Sequence, residues 1–350
     1  MAKGFTVAVF SGELISRVPM TVKCIESINN QTFKGLQKIL VNGGSPPHQT
    51  KLLIDQGVDL DDWIILDFPI DAMDIESSWN AHRWNGPAAL HAATKDFFFA
   101  INDDDFLAIN FFERISILLD KFPSADTAMG LRVTYNHKTK SYGKIVHPKK
   151  ITGEPRPVFE PGINLVRELF FNNNLGYGPS LGFQPVCRTD MIREIGPTFF
   201  YKGFYPDCSP YFQIVARSDT VFDKEALMYW GRHGDQDHLK WDENNYWTCS
   251  HEKFYTQFSK NNLEVFNRYF PNNTADLKDI KKYFEKRIVS VSLFAITKHY
   301  SLTSFYKKTK VPKFKKTKSN FPLFKHILII IKRPRIFMEV FKTNFKYIFK

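Results

Sequence analysis

The chain has 350 residues, of which 43% are hydrophobic and 24% charged, an ordinary composition for a globular protein with one large core or two smaller ones. Its formal charge of +12 is unevenly placed, because residues 281–350 carry +17 and the residues before them carry −5. No stretch of about 18 uncharged apolar residues is present and no secretory pattern opens the chain, so neither a transmembrane helix nor a leader is expected.

Segments typical of strands and of helices alternate through the first half of the chain. Short apolar runs predict strands at residues 5–10, 38–41, 63–68 and 96–101. Periodic apolar positions predict helices at residues 19–30, 80–94 and 110–122, and Pro19 suits a first helical turn. This alternation is typical of a mostly parallel, doubly wound α/β sheet.

After residue 122 the pattern becomes mixed. Antiparallel strands are predicted at residues 127–135 and 142–146, and a loop rich in Pro and Lys, lying over the site, at 149–161. A helix at 210–217, strands at 220–222 and 226–230, and a helical region at 251–290 follow. We therefore predict a main domain of residues 1–250, a helical extension at 251–300 and a basic tail at 301–350.

The apolar strand at residues 96–101 is followed at once by three consecutive carboxylates, Asp103, Asp104 and Asp105. Like charges packed this closely repel one another, and a core could not hold them unpaired. Mg²⁺ and Mn²⁺ bind carboxylates together with substrate phosphates, and ligands of open α/β sheets bind at the carboxyl ends of strands. The sequence therefore predicts a metal and phosphate site, with a solvated acidic turn as the alternative.

Several motifs follow one another in the order of a known family. They are Ser-Ile-Asn-Asn-Gln-Thr at 27–32, Asn-Gly-Gly-Ser at 42–45, Arg-Trp-Asn-Gly at 83–86, Ile-Asn-Asp-Asp-Asp at 101–105, Gly-Phe-Tyr-Pro-Asp at 203–207 and Tyr-Trp-Gly-Arg-His at 229–233. As an ordered set they resemble the inverting glycosyltransferases with a GT-A fold, often called family 2. The resemblance spans roughly residues 5–240.

The resemblance implies a GT-A-like doubly wound mixed sheet with a helical, basic C-terminal extension. It also implies a metal-dependent reaction that inverts the anomeric carbon, with Asp207 as the base that takes the acceptor proton; the alternative role of Asp207 is an N-cap. The implied ligands of Mn²⁺ or Mg²⁺ are Asp104, Asp105 and His233. The implied donor-binding residues are Phe10, Ser11, Asn42, Gly43, Arg83, Asn85, Asn102 and Asp103.

Three positions depart from the family pattern. Asn42-Gly43 stands where the family has two aspartates, which leaves the nucleotide base open. Asn102 replaces the first aspartate of the metal motif, so the main metal ligand is expected to be Asp104, with Asp103 or Asp105 as a further ligand. Pro206 replaces the glutamate before Asp207. Arg83 suits a bidentate contact to a diphosphate, and a surface ion pair is its alternative role.

The basic tail predicts attachment to an anionic membrane surface through residues 307–350. Residues 307–318 contain seven lysines, and residues 335–350 place aromatic and aliphatic side chains on one helical face and lysines on another. The apolar face could instead pack on the protein's own body or on a second subunit of a homo-oligomer. No nucleic-acid partner is expected, because no recognition module accompanies the lysines.

The sequence thus predicts a cytosolic glycosyltransferase, peripheral on the inner face of the membrane, that moves a sugar from a nucleotide-sugar donor to a glycan or lipid-linked acceptor in surface polysaccharide assembly. The four cysteines form no Cys-x-x-Cys pair, which argues against structural zinc and predicts reduced thiols. The alternatives are a metal-dependent phosphoesterase or nucleotidyltransferase, and a non-catalytic glycan- or membrane-binding protein on a transferase fold.

Overall fold

The computed structural model describes residues 4–11, 15–43, 49–68, 86–146, 156–165, 185–195, 213–233 and 330–338, and residues 282, 285, 286, 289 and 327. The chain divides into two compact units, Met1–Gly234 and Asp235–Lys350. In the second unit residues 334–338 are helical, and no helix within the described ranges is long and apolar enough to cross a membrane. The domain boundaries predicted at residues 250 and 300 lie outside the described residues and stay predictions.

Four parallel strands form one half of the sheet. They are β1 (Phe5–Ser11), β2 (Leu36–Gly43), β3 (Trp63–Phe68) and β4 (Phe97–Asn102), in the order β3-β2-β1-β4. Helix α1 (Val18–Asn29) follows β1, and helix α2 (Gln49–Asp55) follows β2. The apolar runs of β1 and β4 are buried on both faces, as is usual for parallel strands inside a sheet. All four predicted strands and the helix at 19–30 are confirmed; of the helix predicted at 80–94, residues 86–92 are described and helical.

The second half of the sheet is mixed. Its strands are β5 (Phe106–Leu107), β6 (Ala125–Asn136), β7 (Ser141–Val146), β8 (Phe159–Glu160), β9 (Val186–Arg188) and β10 (Asp219–Arg232). Strand β9 is antiparallel to both β4 and β6, and β10 is parallel to β6. Strand β7 pairs antiparallel with β6, as predicted. Helices α3 (Phe111–Lys121) and α4 (Thr189–Ile195) belong to this half.

The two strands predicted at 220–222 and 226–230 are wrong in number, because β10 runs through both. The register of β10 against β6 shifts between Phe222 and Leu227. The shift is stabilised by Asp223, whose Oδ1 accepts the backbone N–H groups of Glu225 (2.7 Å) and Ala226 (2.6 Å). An aspartate that accepts hydrogen bonds from the backbone N–H groups of the residues after it lets a strand bulge without ending.

The loop predicted at 149–161 is wrong at its end, where β8 pairs with β10, and residues 147–155 lie outside the described part of the chain. Strand β9 was not predicted. It has only three residues, which is too short for an alternating pattern to be recognised in the sequence.

Phenylalanine rings fill the core between the sheet and α3. The side chains of Phe5, Phe97, Phe99, Phe111 and Phe112 are 0–2% exposed. The ring of Phe99 lies 5.4 Å from that of Phe111 and 5.6 Å from that of Phe112. The strand that leads to the three aspartates is therefore anchored by tightly packed aromatic rings.

Candidate functional site at the carboxyl edge of the sheet

The carboxyl ends of the parallel strands bring most of the predicted site residues to one edge. Ser11 is in register with Asn42, and Asn42 in turn with Asp67. Phe10 is in register with Asn102, and its carbonyl oxygen accepts the N–H of Asp103 at 3.1 Å. Residues predicted from separate motifs therefore lie side by side, as expected for a sheet whose strands run in parallel.

Asp103 is held by the start of α1. Its Oδ1 lies 3.0 Å from Nη2 of Arg17, and its Oδ2 lies 3.4 Å from Oγ1 of Thr21. Asp103 is 1% exposed. Burying a carboxylate this deeply is costly unless it is paired, and the positive charge of Arg17 stabilises Asp103.

Asp104 is contacted from three segments. Its Oδ2 lies 3.0 Å from Nε2 of His233 and 3.4 Å from Nη2 of Arg17, and its backbone carbonyl accepts a hydrogen bond from Nε2 of His137 at 2.8 Å. Burial alone would raise the pKa of Asp104, but the hydrogen bond from His233 and the charge of Arg17 together hold that pKa below its ordinary value. The contacts to His233 and Arg17 therefore favour the ionised form of Asp104.

Asp105 turns in another direction. Its Oδ1 accepts the backbone N–H of Gly231 at 2.8 Å, and the side chain is 2% exposed. Burial, and next the charge of Asp104, raises the pKa of Asp105 well above its ordinary value. This contact joins the acidic turn to β10, and the metal-ligand role of Asp105 stays a prediction.

Asn42 lies at the carboxyl end of β2, on the same edge of the sheet. Its Nδ2 donates to Thr50 Oγ1 at 2.6 Å and to Asp67 Oδ1, and Asn42 is 2% exposed. Among the described residues its Oδ1 has no hydrogen-bond partner. A buried amide oxygen of this kind is an acceptor suited to a ligand N–H group.

The described donor atoms fit a divalent ion only in part. No group of three or more His, Cys, Asp or Glu side chains in the described ranges could hold an ion unaided. Asp104 Oδ2 and His233 Nε2 are nevertheless 3.0 Å apart; with the ring proton on Nδ1 instead of Nε2, this is also the separation of two neighbouring ligands that each lie about 2.1 Å from an octahedral ion. Two such ligands fit an ion whose remaining ligands are substrate phosphates and water, which is how Mg²⁺ is usually held.

Three predicted residues, Arg83, Asn85 and Asp207, lie outside the described residues. Sequence reasoning missed Arg17 and His137, both of which contact Asp104. Arg17 carried one usable signal, because it stands at the start of the helix that follows β1, and such helices begin at the carboxyl edge of the sheet. Nothing in the sequence links His137 to Asp104.

Gly231 gives a sharp test of this arrangement. A Cβ added at Gly231 would overlap the backbone carbonyl of Asp104 and crowd the ring of His137. We expect Gly231→Ala to displace the acidic turn and to weaken any metal-dependent nucleotide binding at least about tenfold. Changes to residues that orient a metal ligand usually lower metal affinity by about this factor or more. Isothermal titration checks this, with Ile117→Ala, at an exposed position of α3, as the control. If Gly231→Ala binds the nucleotide as tightly as the wild type does, the acidic turn is not part of the binding site.

The mixed sheet and its flanking helices have a GT-A-like fold. Solved structures of S. aureus TarS are similar to it. One matches with a TM-score of 0.52 at 12% identity and covers 81% of this chain and 43% of that chain. TarS 1–349 with UDP-GlcNAc matches with a TM-score of 0.48 at 11% identity, over 83% of this chain and 80% of that one. The first match spans less than half of that TarS chain, and identity this low shows the fold alone.

No protein-family model and no curated protein matches the chain. The predicted GT-A-like fold is confirmed, whereas membership of family 2 in particular stays a prediction.

Proposed function

We propose that this protein is a glycosyltransferase that moves a sugar from a nucleotide-sugar donor to a hydroxyl group of a glycan or lipid-linked acceptor in surface polysaccharide assembly. One observation carries the proposal. On a GT-A-like sheet, Asp104 follows the carboxyl end of β4, next to the end of β1, and its side chain contacts His233, which follows β10. Diphosphates and nucleosides bind at this edge of α/β sheets.

The donor would lie along the edge of the parallel strands. Ser11 and Gly43 would border the nucleoside, and the acceptor oxygen of Asn42 would receive a ring N–H of the base. Asp104 and His233 would hold Mn²⁺ or Mg²⁺, which would neutralise charge on the diphosphate leaving group. We keep Asp207 as the proposed base of an inverting reaction, and Arg83 and Asn85 as proposed donor contacts.

The phosphoesterase alternative would use all three aspartates around two metal ions. Asp103 instead contacts Arg17 and Thr21, and Asp105 accepts the N–H of Gly231. These contacts favour a site with one ion, so we prefer sugar transfer.

Thermal stability tests the donor half of the proposal. The full-length protein is heated with UDP-, GDP-, dTDP- and CMP-linked sugars in turn, with and without Mn²⁺. We expect one nucleotide to raise the melting temperature, and to do so more with Mn²⁺, because a ligand that binds the folded state stabilises it by mass action. No rise with any nucleotide would contradict the proposal.

The tail proposal has its own test. We propose that residues 307–350 attach the protein to anionic lipid, with the lysines toward the headgroups. In a liposome sedimentation assay with anionic vesicles, changing Lys342, Lys346 and Lys350 to Glu should lower bound protein at least about tenfold, since each lysine near such a surface contributes about 1 kcal/mol. Neutral vesicles are the control. Equal binding of wild type and variant to anionic vesicles would contradict the tail's role.

A further inference from the structure

Arg17 occupies a position that the proposed chemistry does not yet use. It is the last residue of a short helical turn, Ile15–Arg17, directly before α1, and Pro19 makes the start of α1 rigid. Its Nη2 lies 3.0 Å from Asp103 Oδ1 and 3.4 Å from Asp104 Oδ2. One guanidinium group therefore bridges two neighbouring carboxylates at the carboxyl edge of the sheet.

The contact to Asp104 is shared at a single atom. Oδ2 of Asp104 lies within 3.4 Å of Arg17 Nη2 and within 3.0 Å of His233 Nε2. If Asp104 and His233 hold a divalent ion, that ion and the guanidinium group compete for the same oxygen, and two cations so close repel each other strongly. Binding of an ion at this oxygen therefore weakens its contact with Arg17 and favours release of the guanidinium group.

The position of Arg17 decides where its side chain can go. The side chain is 17% exposed, so it is not locked in the core, and it stays beside the proposed binding edge through Asp103. A guanidinium group released from a carboxylate pairs best with another planar or multidentate anion, above all a phosphate group.

We propose that Arg17 is an exchangeable internal cation, which pairs with Asp104 before the donor binds and moves to the donor's diphosphate when Asp104 binds a divalent ion. The inference rests on the proposed function and deepens it. It makes Arg17 a residue that lowers the affinity of the site for metal alone and raises its affinity for metal and diphosphate together. The site then acquires its ion mainly when the diphosphate arrives.

The test uses Mn²⁺ alone as its first probe. Free Mn²⁺ is measured by electron paramagnetic resonance during titration of the full-length wild type, Arg17→Gln, Arg17→Lys and Arg193→Gln. Arg193 is a matched control, because it is a half-exposed arginine whose loss changes the net charge equally. We expect Arg17→Gln to bind Mn²⁺ at least about tenfold more tightly than the wild type, with Arg17→Lys and Arg193→Gln close to wild type.

The second probe is a nucleoside diphosphate at fixed, saturating Mn²⁺, with UDP, GDP and dTDP tested separately by thermal shift. Whichever nucleotide stabilises the wild type should bind Arg17→Gln about tenfold more weakly, because the variant has lost a phosphate contact. If removal of Arg17 loosens the fold, added Mn²⁺ should still raise the melting temperature of Arg17→Gln more than that of the wild type.

The outcomes separate the two proposals. Unchanged or weaker Mn²⁺ binding in Arg17→Gln, beside a wild type that binds both Mn²⁺ and a nucleotide, would overturn the role of Arg17 and leave the proposed function standing. A wild type that binds neither Mn²⁺ nor any of the three nucleotides would overturn both. Tighter Mn²⁺ binding with unchanged nucleotide binding would overturn the movement of Arg17 to the diphosphate.

Discussion

Asp104→Asn should lower the rate of sugar transfer by at least about a hundredfold, because a neutral amide holds a divalent ion far more weakly than a carboxylate, and the proposed ion would neutralise charge on the diphosphate leaving group. The change keeps the shape of the side chain but removes the negative charge that His233 and Arg17 both contact. Release of nucleoside diphosphate from the donor measures the rate, and a urea unfolding curve of the variant reports whether the fold is retained.

The control for this variant is Asp190→Asn. Asp190 also pairs with an arginine, but its side chain is 80% exposed on α4, so the change should leave the rate within about twofold of wild type. If Asp104→Asn transfers sugar at a rate within threefold of the wild type, Asp104 takes no part in the reaction.

Phe99→Ala should lower the free energy of unfolding by about 3–5 kcal/mol, the usual cost of a cavity left by a buried Phe. Phe99 is fully buried in β4 and packs on Phe111 and Phe112 of α3. Phe99→Leu, which leaves a smaller void, should cost less. Urea unfolding followed by tryptophan fluorescence measures each value.

The control lies on the other side of α3, where the side chain of Ile117 is 63% exposed. Ile117→Ala should change the free energy of unfolding by less than about 0.5 kcal/mol. A loss below about 1 kcal/mol in Phe99→Ala would mean that the Phe cluster is not the core that supports the site strand.

The electrostatics of the acidic turn correct one step of the sequence argument. Three adjacent carboxylates suggested that a metal ion was needed to relieve their repulsion. The structure relieves it separately for each side chain: Arg17 pairs with Asp103, His233 with Asp104, and a backbone N–H of β10 with Asp105. The turn is therefore stable within the fold, and among the described residues Asp104 and His233 lie as a pair suited to an ion.

The strands of the first half could be predicted because each is a short apolar run bounded by turn residues, and β1 and β4 are buried on both faces. The contacts of the site could not be predicted in the same way. Asp104 and His233 are 129 positions apart, and Arg17 reaches the acidic turn only because α1 begins beside the end of β4. The sequence placed His233 correctly near a strand end, but the bulge at Asp223, which keeps β10 continuous as far as Arg232, depends on local hydrogen bonds that no apolar pattern reveals.

Product analysis tests the central claim most directly. The full-length protein is incubated with Mn²⁺ and the nucleotide sugar that stabilises it most, with water as the slow acceptor, and the products are followed by phosphorus NMR. A glycosyltransferase breaks the bond between the sugar and the diphosphate, so we expect intact nucleoside diphosphate, formed slowly without acceptor and lost in Asp104→Asn. Nucleoside monophosphate with sugar phosphate, or free phosphate, would show attack at phosphorus and contradict the account.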